Sequence, residues 1–339
     1  MQSDKNHNGM GEGNERLAKG KRSRSQLILR VIVFVVVAAI FFFMARSLAV
    51  NSIKVRDYEF AFRPGYLLLS FSFPFAAILW YGVVWKRIVD ILEPGNTVSI
   101  PFAISTYVYS WLGRYVPGKV VPIAGKIYLA RDQNVSREAL YLSSILDVIF
   151  SILSGFILSV VFLVSAGSGL VQGSLLLFVA IIAGVSIVTL FLADSRPFYH
   201  GVNYLLGMME RSRIETTPRL SLANRSLIIL LFAVGQMMRG IGFYFFVLSL
   251  TPDAQNAPLY VMGIFVLAGA LGAASFFVPA GLGVRDGVLA VGLKGCVPFE
   301  IATILAVTSR IWETVTDLLL LVIISAVTHG IALVKKHRS

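Results

Sequence analysis

Charge is scarce in this chain. Only 14% of its 339 residues are Asp, Glu, Lys or Arg, while 56% are hydrophobic and the mean hydropathy is +0.77. An average soluble domain carries about 25% charged residues. So few charges cannot dress a water-facing surface, which predicts an integral membrane protein. Cysteine is scarcer still. Cys296 stands alone, which excludes an intramolecular disulfide and any cysteine-based metal centre. The four histidines, His7, His200, His329 and His337, are scattered, so no zinc or haem site and no cofactor is expected. Acidic residues are in deficit, 18 against 30 Lys and Arg, for a net charge of +12. No basic run outside the apolar segments is interleaved with aromatics, so nucleic acid is not an expected partner. The excess fits basic loops held at the cytoplasmic face beside anionic lipids. Long polar stretches are missing too. None exceeds about 35 residues, below the roughly 50 of a small folded domain, which speaks against an attached soluble catalytic domain.

What is present is a series of apolar runs. Residues 1–25 are polar and basic and are expected to be a disordered cytoplasmic N-terminus. Gln26–Ala45 reads as a retained first span, since Arg46 follows it rather than a small-residue cleavage site. Pro64–Trp85 carries no charge over a length sufficient for a hydrocarbon core of about 30 Å. Its Trp80, Tyr81 and Trp85, followed by Lys86 and Arg87, read as an interfacial aromatic cluster. Ala139–Ala166 and Gly173–Ala193 form two further spans, and Arg-bearing loop 194–225 reads as cytoplasmic. Leu227–Leu250 crosses outward, and about Phe299–Val327 returns to the basic tail 331–339. Both termini are thus expected in the cytoplasm of a cell (inner or plasma) membrane protein. Against this topology, the external loop 46–65 carries Arg46, Lys54, Arg56 and Arg63 beside Asp57 and Glu59.

Two regions do not read as ordinary spans. Residues 97–135 run apolar, break at Arg114-Tyr-Val-Pro-Gly-Lys119, and continue half-apolar through Lys126 and Arg131. Residues 259–297 run apolar, break around Pro279, Gly281, Gly283 and Gly287, and continue to Val297. A shift of 162 positions lays Val116-Pro117-Gly118 on Val278-Pro279-Ala280, Gly125 on Gly287 and Glu138 on Glu300, then runs gap-free into two long helices. Pro and Gly interrupt helices, and in a bilayer the freed backbone groups must face protein or a wet cavity. Paired broken helices in corresponding halves are the sequence pointer to a transporter-like site. The expected fold is therefore an all-α polytopic membrane protein with six to eight crossings. Two Pro/Gly-broken, re-entrant-like helical hairpins form an internal, inverted repeat, with halves 97–165 and 259–327 inside a single transmembrane domain 26–330. Two kinked but complete spans are the plainer alternative.

The segments GRYVPGKVVPIAGKIYLARDQNVSREAL and FFVPAGLGVRDGVLAVGLKGCVPFEIATILAVTSRIW resemble the lysylphosphatidylglycerol synthase transmembrane (flippase-like) family over about residues 30 to 330. In bifunctional members of that family a soluble aminoacyl-transferase domain follows, whereas this chain stops after the flippase-like part. The resemblance therefore implies lipid translocation or lipid-carrier handling rather than lysyl transfer. Where relatives often carry an acidic–Arg pair, this sequence has Asp147-Val148, which leaves the ion pairing of the first repeat open.

Each ionisable group at mid-membrane costs about 2.5–3.5 kcal/mol on insertion scales and so needs a partner or a function. Arg239 lies mid-span, and Arg310, Glu313 and Asp317 share one helical face. Asp147 shares a stripe with Ser144, Ser151 and Ser154. One reading is an internal polar network in which Arg310 pairs with Glu313, and Arg239 with Asp317 or Asp147. The other leaves basic groups for a lipid phosphate, with Arg114, Lys119, Lys126 and Arg285 as headgroup candidates beside the helix breaks Pro117, Gly118, Pro279, Gly281, Gly283 and Gly287. Tyr107, Tyr109, Trp111 and Tyr115 could line an amphipathic path. The expected partner is a membrane lipid of the phospholipid or polyprenyl-phosphate type. The alternatives are a membrane-embedded transferase using Glu313 and Asp317, or an accessory subunit meeting a membrane or cytoplasmic synthase through loop 194–225.

Overall fold

The computed structural model describes residues 60–95, 98–115, 120–167, 173–192, 220–275 and 281–338, together with Arg46, Tyr58, His200, Asn203 and Val278. The expected span Gln26–Ala45, Lys119, and the break residues Pro117, Gly118 and Pro279 lie outside the described residues, as do most of loop 194–225 and all of residues 1–25.

Every described element is helical, in chain order α1 (Pro64–Leu92), α2 (Ile100–Trp111), a 3-10 turn (Leu112–Tyr115), α3 (Val120–Ala130) and α4 (Arg137–Ser165). Then come α5 (Gly173–Leu192), α6 (Leu222–Leu250), a second 3-10 turn (Asp253–Asn256), α7 (Pro258–Ala274), α8 (Val284–Leu293) and α9 (Phe299–Arg338). Starts are marked by local chemistry. Pro64 and Pro258 occupy first-turn positions, where a missing N–H costs nothing. Ser136 and Ser221 cap α4 and α6 by accepting from Ala139 N and Asn224 N, both at 3.2 Å. Among the described residues four helices, α1, α4, α6 and Phe299–Thr328 of α9, are long and apolar enough to cross a membrane.

The regions of the two expected hairpins form the helix pairs α2–α3 and α7–α8, the two helices of each pair in contact, and each pair runs into a long helix. Gly281 and Gly283, at φ +64° and +80°, carry the second hairpin's turn in a region that L side chains avoid. A Cβ on Gly281 would sit 2.7 Å from Gly272 Cα, so the turn is pressed onto the backbone of α7. Gly287, expected as part of this break, instead lies inside α8, because the helix restarts at Val284 once Asp286 accepts from Gly283 N at 3.0 Å.

Two apolar clusters lie toward opposite ends of α4 and α6. One gathers Tyr81, Trp85, Tyr107, Leu146, Phe150 and Phe232; the other gathers Phe156, Phe243, Phe246, Phe265, Leu289 and Trp312. In the second, Trp312 stacks on Phe246 at 5.2 Å and its indole donates to Ser70 Oγ at 2.9 Å. In the first, Tyr81 and Trp85 are core residues at 1% and 0% exposure, correcting their reading as interfacial anchors. Tyr81 is internal because α1 and α6 cross closely: Gly235 leaves room for its ring, and Gly242 for Pro74. On α6 the polar residues Gln236 and Arg239 fall between the clusters, whereas on α4 Asp147 and Ser151 interrupt the first cluster from within.

Candidate functional site

Between the two hairpins and the middles of α4, α6 and α9 lies a cavity of about 420 Å³. Five basic side chains reach its wall: Arg114 from the first 3-10 turn, Lys126 from α3, Arg239 from α6, Arg285 from α8 and Arg310 from α9. Asp147 and Glu313 line it as well, with Asp286 and Asp317 directly behind. Tyr107 and Trp111 form an aromatic wall, and Gly269, Ala270, Gly272 and Ala273 a smooth one. Three of the four headgroup candidates therefore share one chamber with the intramembrane network; Lys119 is outside the described residues.

Each cation is tied to a carboxylate. Lys126 Nζ donates to Asp147 Oδ2 at 2.5 Å and lies 4.2 Å from the Tyr107 ring centroid. Lys126 thus supplies the cation that Asp147-Val148 left open. The long alkyl stem of lysine crosses from α3 to α4, a pairing between residues 21 apart. Arg114 reaches Asp317 at 2.6 Å, while Trp111 donates to the other Asp317 oxygen at 3.1 Å. Arg114 also stacks over Trp111 at 4.7 Å.

The other pairs differ from those expected. Arg310 does not bind Glu313 on its own helix; it grips Asp286 of α8 with two hydrogen bonds of 2.8 and 2.9 Å. A planar guanidinium favours such a two-point contact, which the fully buried Asp286 offers. Arg239 pairs with neither Asp317 nor Asp147 but with Glu313, at 2.8 Å. Glu313 also meets Arg285 at 3.3 Å and Arg114 at 3.9 Å. The stripe on α4 is only partly inward. Asp147 and Ser151 line the cavity, whereas Ser144 and Ser154 return their hydroxyls to the carbonyls of Leu140 and Ser151. Of the aromatic path, Tyr107 and Trp111 line the chamber, Tyr109 contacts Thr328 at 3.2 Å, and the Tyr115 side chain lies outside what is described.

Gln236 was not singled out from the sequence, yet it donates to Ser151 Oγ at 3.4 Å, one turn from Arg239. A polar amide in an otherwise apolar span, three residues before an arginine, was the available signal. Asp286, adjacent to Arg285 in sequence, approaches it no closer than 3.8 Å and serves Arg310 instead. Among the described residues no cluster of His, Cys, Asp and Glu is arranged to hold a metal ion.

A comparison with curated protein sequences finds no match to the chain. The family model for the lysylphosphatidylglycerol synthase TM region matches residues 28–321, a range that includes both hairpins, all four long helices up to mid-α9, and every residue of the chamber. With every described element helical, and four membrane-length helices among the described residues around a charged internal chamber, this chain belongs to the lysylphosphatidylglycerol synthase TM region family.

Proposed function

We propose that the protein binds an anionic lipid or lipid-linked carrier by its phosphate in the central cavity and moves it between leaflets. The observation that carries this reading is the chamber itself, where five basic side chains meet aromatic and small-residue walls. Its charge is unbalanced, five cations against four carboxylates among the described residues, so one added negative charge completes it. A buried net charge is costly, and an incoming phosphate lowers that cost.

An internal repeat, read here as inverted, supports movement rather than static binding. Shifted by 162, α2, α3 and the start of α4 fall at 262–273, 282–292 and 299, close to α7, α8 and the start of α9. Polar contacts correspond as well. Lys126 meets α4 at Asp147, and Arg285 meets α9 at Ser309, the same repeat position, at 3.4 Å. Gln236 and Arg239 hold Ser151 and Glu313, again matching positions. Such pairing of broken helices around one site suits alternating access. In this reading the protein spans a cell membrane with both termini and loop 194–225 in the cytoplasm.

A transferase is less favoured, because Glu313 and Asp317 are engaged by Arg239 and Arg114 and are not poised for proton transfer. The test is a leaflet assay in proteoliposomes with a fluorescent anionic phospholipid, alongside native mass spectrometry of the gently purified protein. Translocation by the protein alone, with a co-purifying anionic lipid, is the expected result. A covalent lipid product would favour the transferase, and neither signal would overturn transport.

A further inference from the structure

Three guanidiniums from three separate elements point at one carboxylate. Glu313 Oε1 lies 2.8 Å from Arg239 Nη2 and 3.3 Å from Arg285 Nη2, and Oε2 lies 3.9 Å from Arg114 Nη2. Arg114 belongs to the first hairpin and Arg285 to the second, so Glu313 is the group on which both hairpins converge. A carboxylate shares one negative charge between two oxygens. A phosphodiester does the same with its two non-bridging oxygens, and guanidinium forks recognise either.

We infer that Glu313 is an internal stand-in for the ligand's phosphate, occupying the place where the headgroup binds and yielding it to the incoming oxyanion. The inference rests on the headgroup reading and adds two assignments: Arg239 becomes a phosphate ligand, and Glu313 becomes its competitor. The other carboxylates are poor candidates for exchange. Asp286 is fully buried, held at two points by Arg310, and caps Gly283 N. Asp317 is 3% exposed at its side chain and holds both Arg114 and Trp111. Asp147 is closed over by Lys126 at 2.5 Å. Glu313 is the most open of the four, lines the cavity directly, and has two of its three cation contacts at 3.3 Å or longer. When phosphate takes Arg114, Arg239 and Arg285, the released Glu313 still lines the chamber, where a hydroxyl or amine of the headgroup can donate to it.

The test measures binding of dihexanoyl phosphatidylglycerol, and separately of inorganic phosphate, to the purified full-length protein in phosphatidylcholine nanodiscs. Removing the competitor by Glu313→Gln should tighten lipid binding about tenfold. Adding Arg239→Gln to that variant should abolish the gain. Glu313→Asp, which withdraws the carboxylate by one methylene, should give a smaller gain of about threefold and serves if Glu313→Gln does not fold. Lipid bound by wild type but no more tightly by folded Glu313→Gln or Glu313→Asp would overturn the stand-in while the headgroup reading stands. No lipid bound by either protein would overturn both. Inorganic phosphate bound as tightly as the lipid would overturn the lipid as the source of the oxyanion.

Discussion

Arg310 of α9 and Asp286 of α8 form the tightest two-point contact in the chamber, 2.8 and 2.9 Å, with Asp286 entirely excluded from solvent. Asp286 also receives Gly283 N, so this one carboxylate fastens the second hairpin's turn to the long helix behind it. Removing one partner of a buried pair leaves an uncompensated charge, at a cost of about 3–5 kcal/mol. Arg310→Gln should therefore fail through loss of folded protein. Arg310→Lys, which keeps charge but not the fork, should be intermediate. Membrane abundance and thermal unfolding of the purified variants check this; a fully abundant Arg310→Gln would show the contact to be dispensable.

Lys126 and Asp147 should behave as a couple. Either Lys126→Met or Asp147→Asn alone strands a buried partner, whereas the double variant removes both charges. The double variant is expected to recover most of the stability lost by Lys126→Met, about 3 kcal/mol. A double-mutant cycle of thermal unfolding provides the measurement. Additive losses would mean that the two groups act independently despite their 2.5 Å contact.

Arg114 should separate function from folding. Its guanidinium holds Asp317 at 2.6 Å and stacks on Trp111, two contacts that Lys cannot reproduce together. Arg114→Lys should lower translocation per folded molecule by about tenfold, corresponding to roughly 1.4 kcal/mol, while abundance stays near wild type. Unchanged activity per molecule would remove Arg114 from the headgroup site.

The topology can be mapped with single cysteines because the native thiol is quiet. Burial, then nearby Asp253, push the Cys296 thiol up to about 12, and it donates to Leu293 O at 3.4 Å. Its thiolate is scarce at any pH well below 12 and grows only as pH approaches that value, so maleimide should label it slowly at pH 7. With Cys296→Ser as background, cysteines at Ser212 and Ser339 should resist an impermeant reagent in intact cells. Labelling at either position would reverse the proposed orientation.

Much of the helical scaffold was legible because apolar length and Pro/Gly breaks are local signals. The span read as Ala139–Ala166 is the helix Arg137–Ser165, and Gly173–Ala193 is Gly173–Leu192. Most of the charged residues that line the chamber were conspicuous too, as charges inside apolar runs, whereas Gln236 was not. The pairings were not. Arg310 and Asp286 are 24 positions apart, and Arg239 and Glu313 are 74 apart, so only the packing of α6, α8 and α9 decides which carboxylate each guanidinium reaches. The burial of Tyr81 was hidden for the same reason, because Gly235, the glycine that admits its ring, is on a different helix.

Trp312 turns α9 into a lever. Its indole is lodged among Phe243, Phe246 and Phe265 and pinned to Ser70, whereas the adjoining residue, Glu313, is held by contacts that an oxyanion can replace. The fulcrum is thus apolar and the load beside it ionic. From Trp312 to the end of the helix at Arg338 the rise is about 39 Å, so a tilt of about 5° there moves that end by about 3 Å. In the proposed exchange, an event confined to Glu313 would in this way reach the far end of α9 as a displacement.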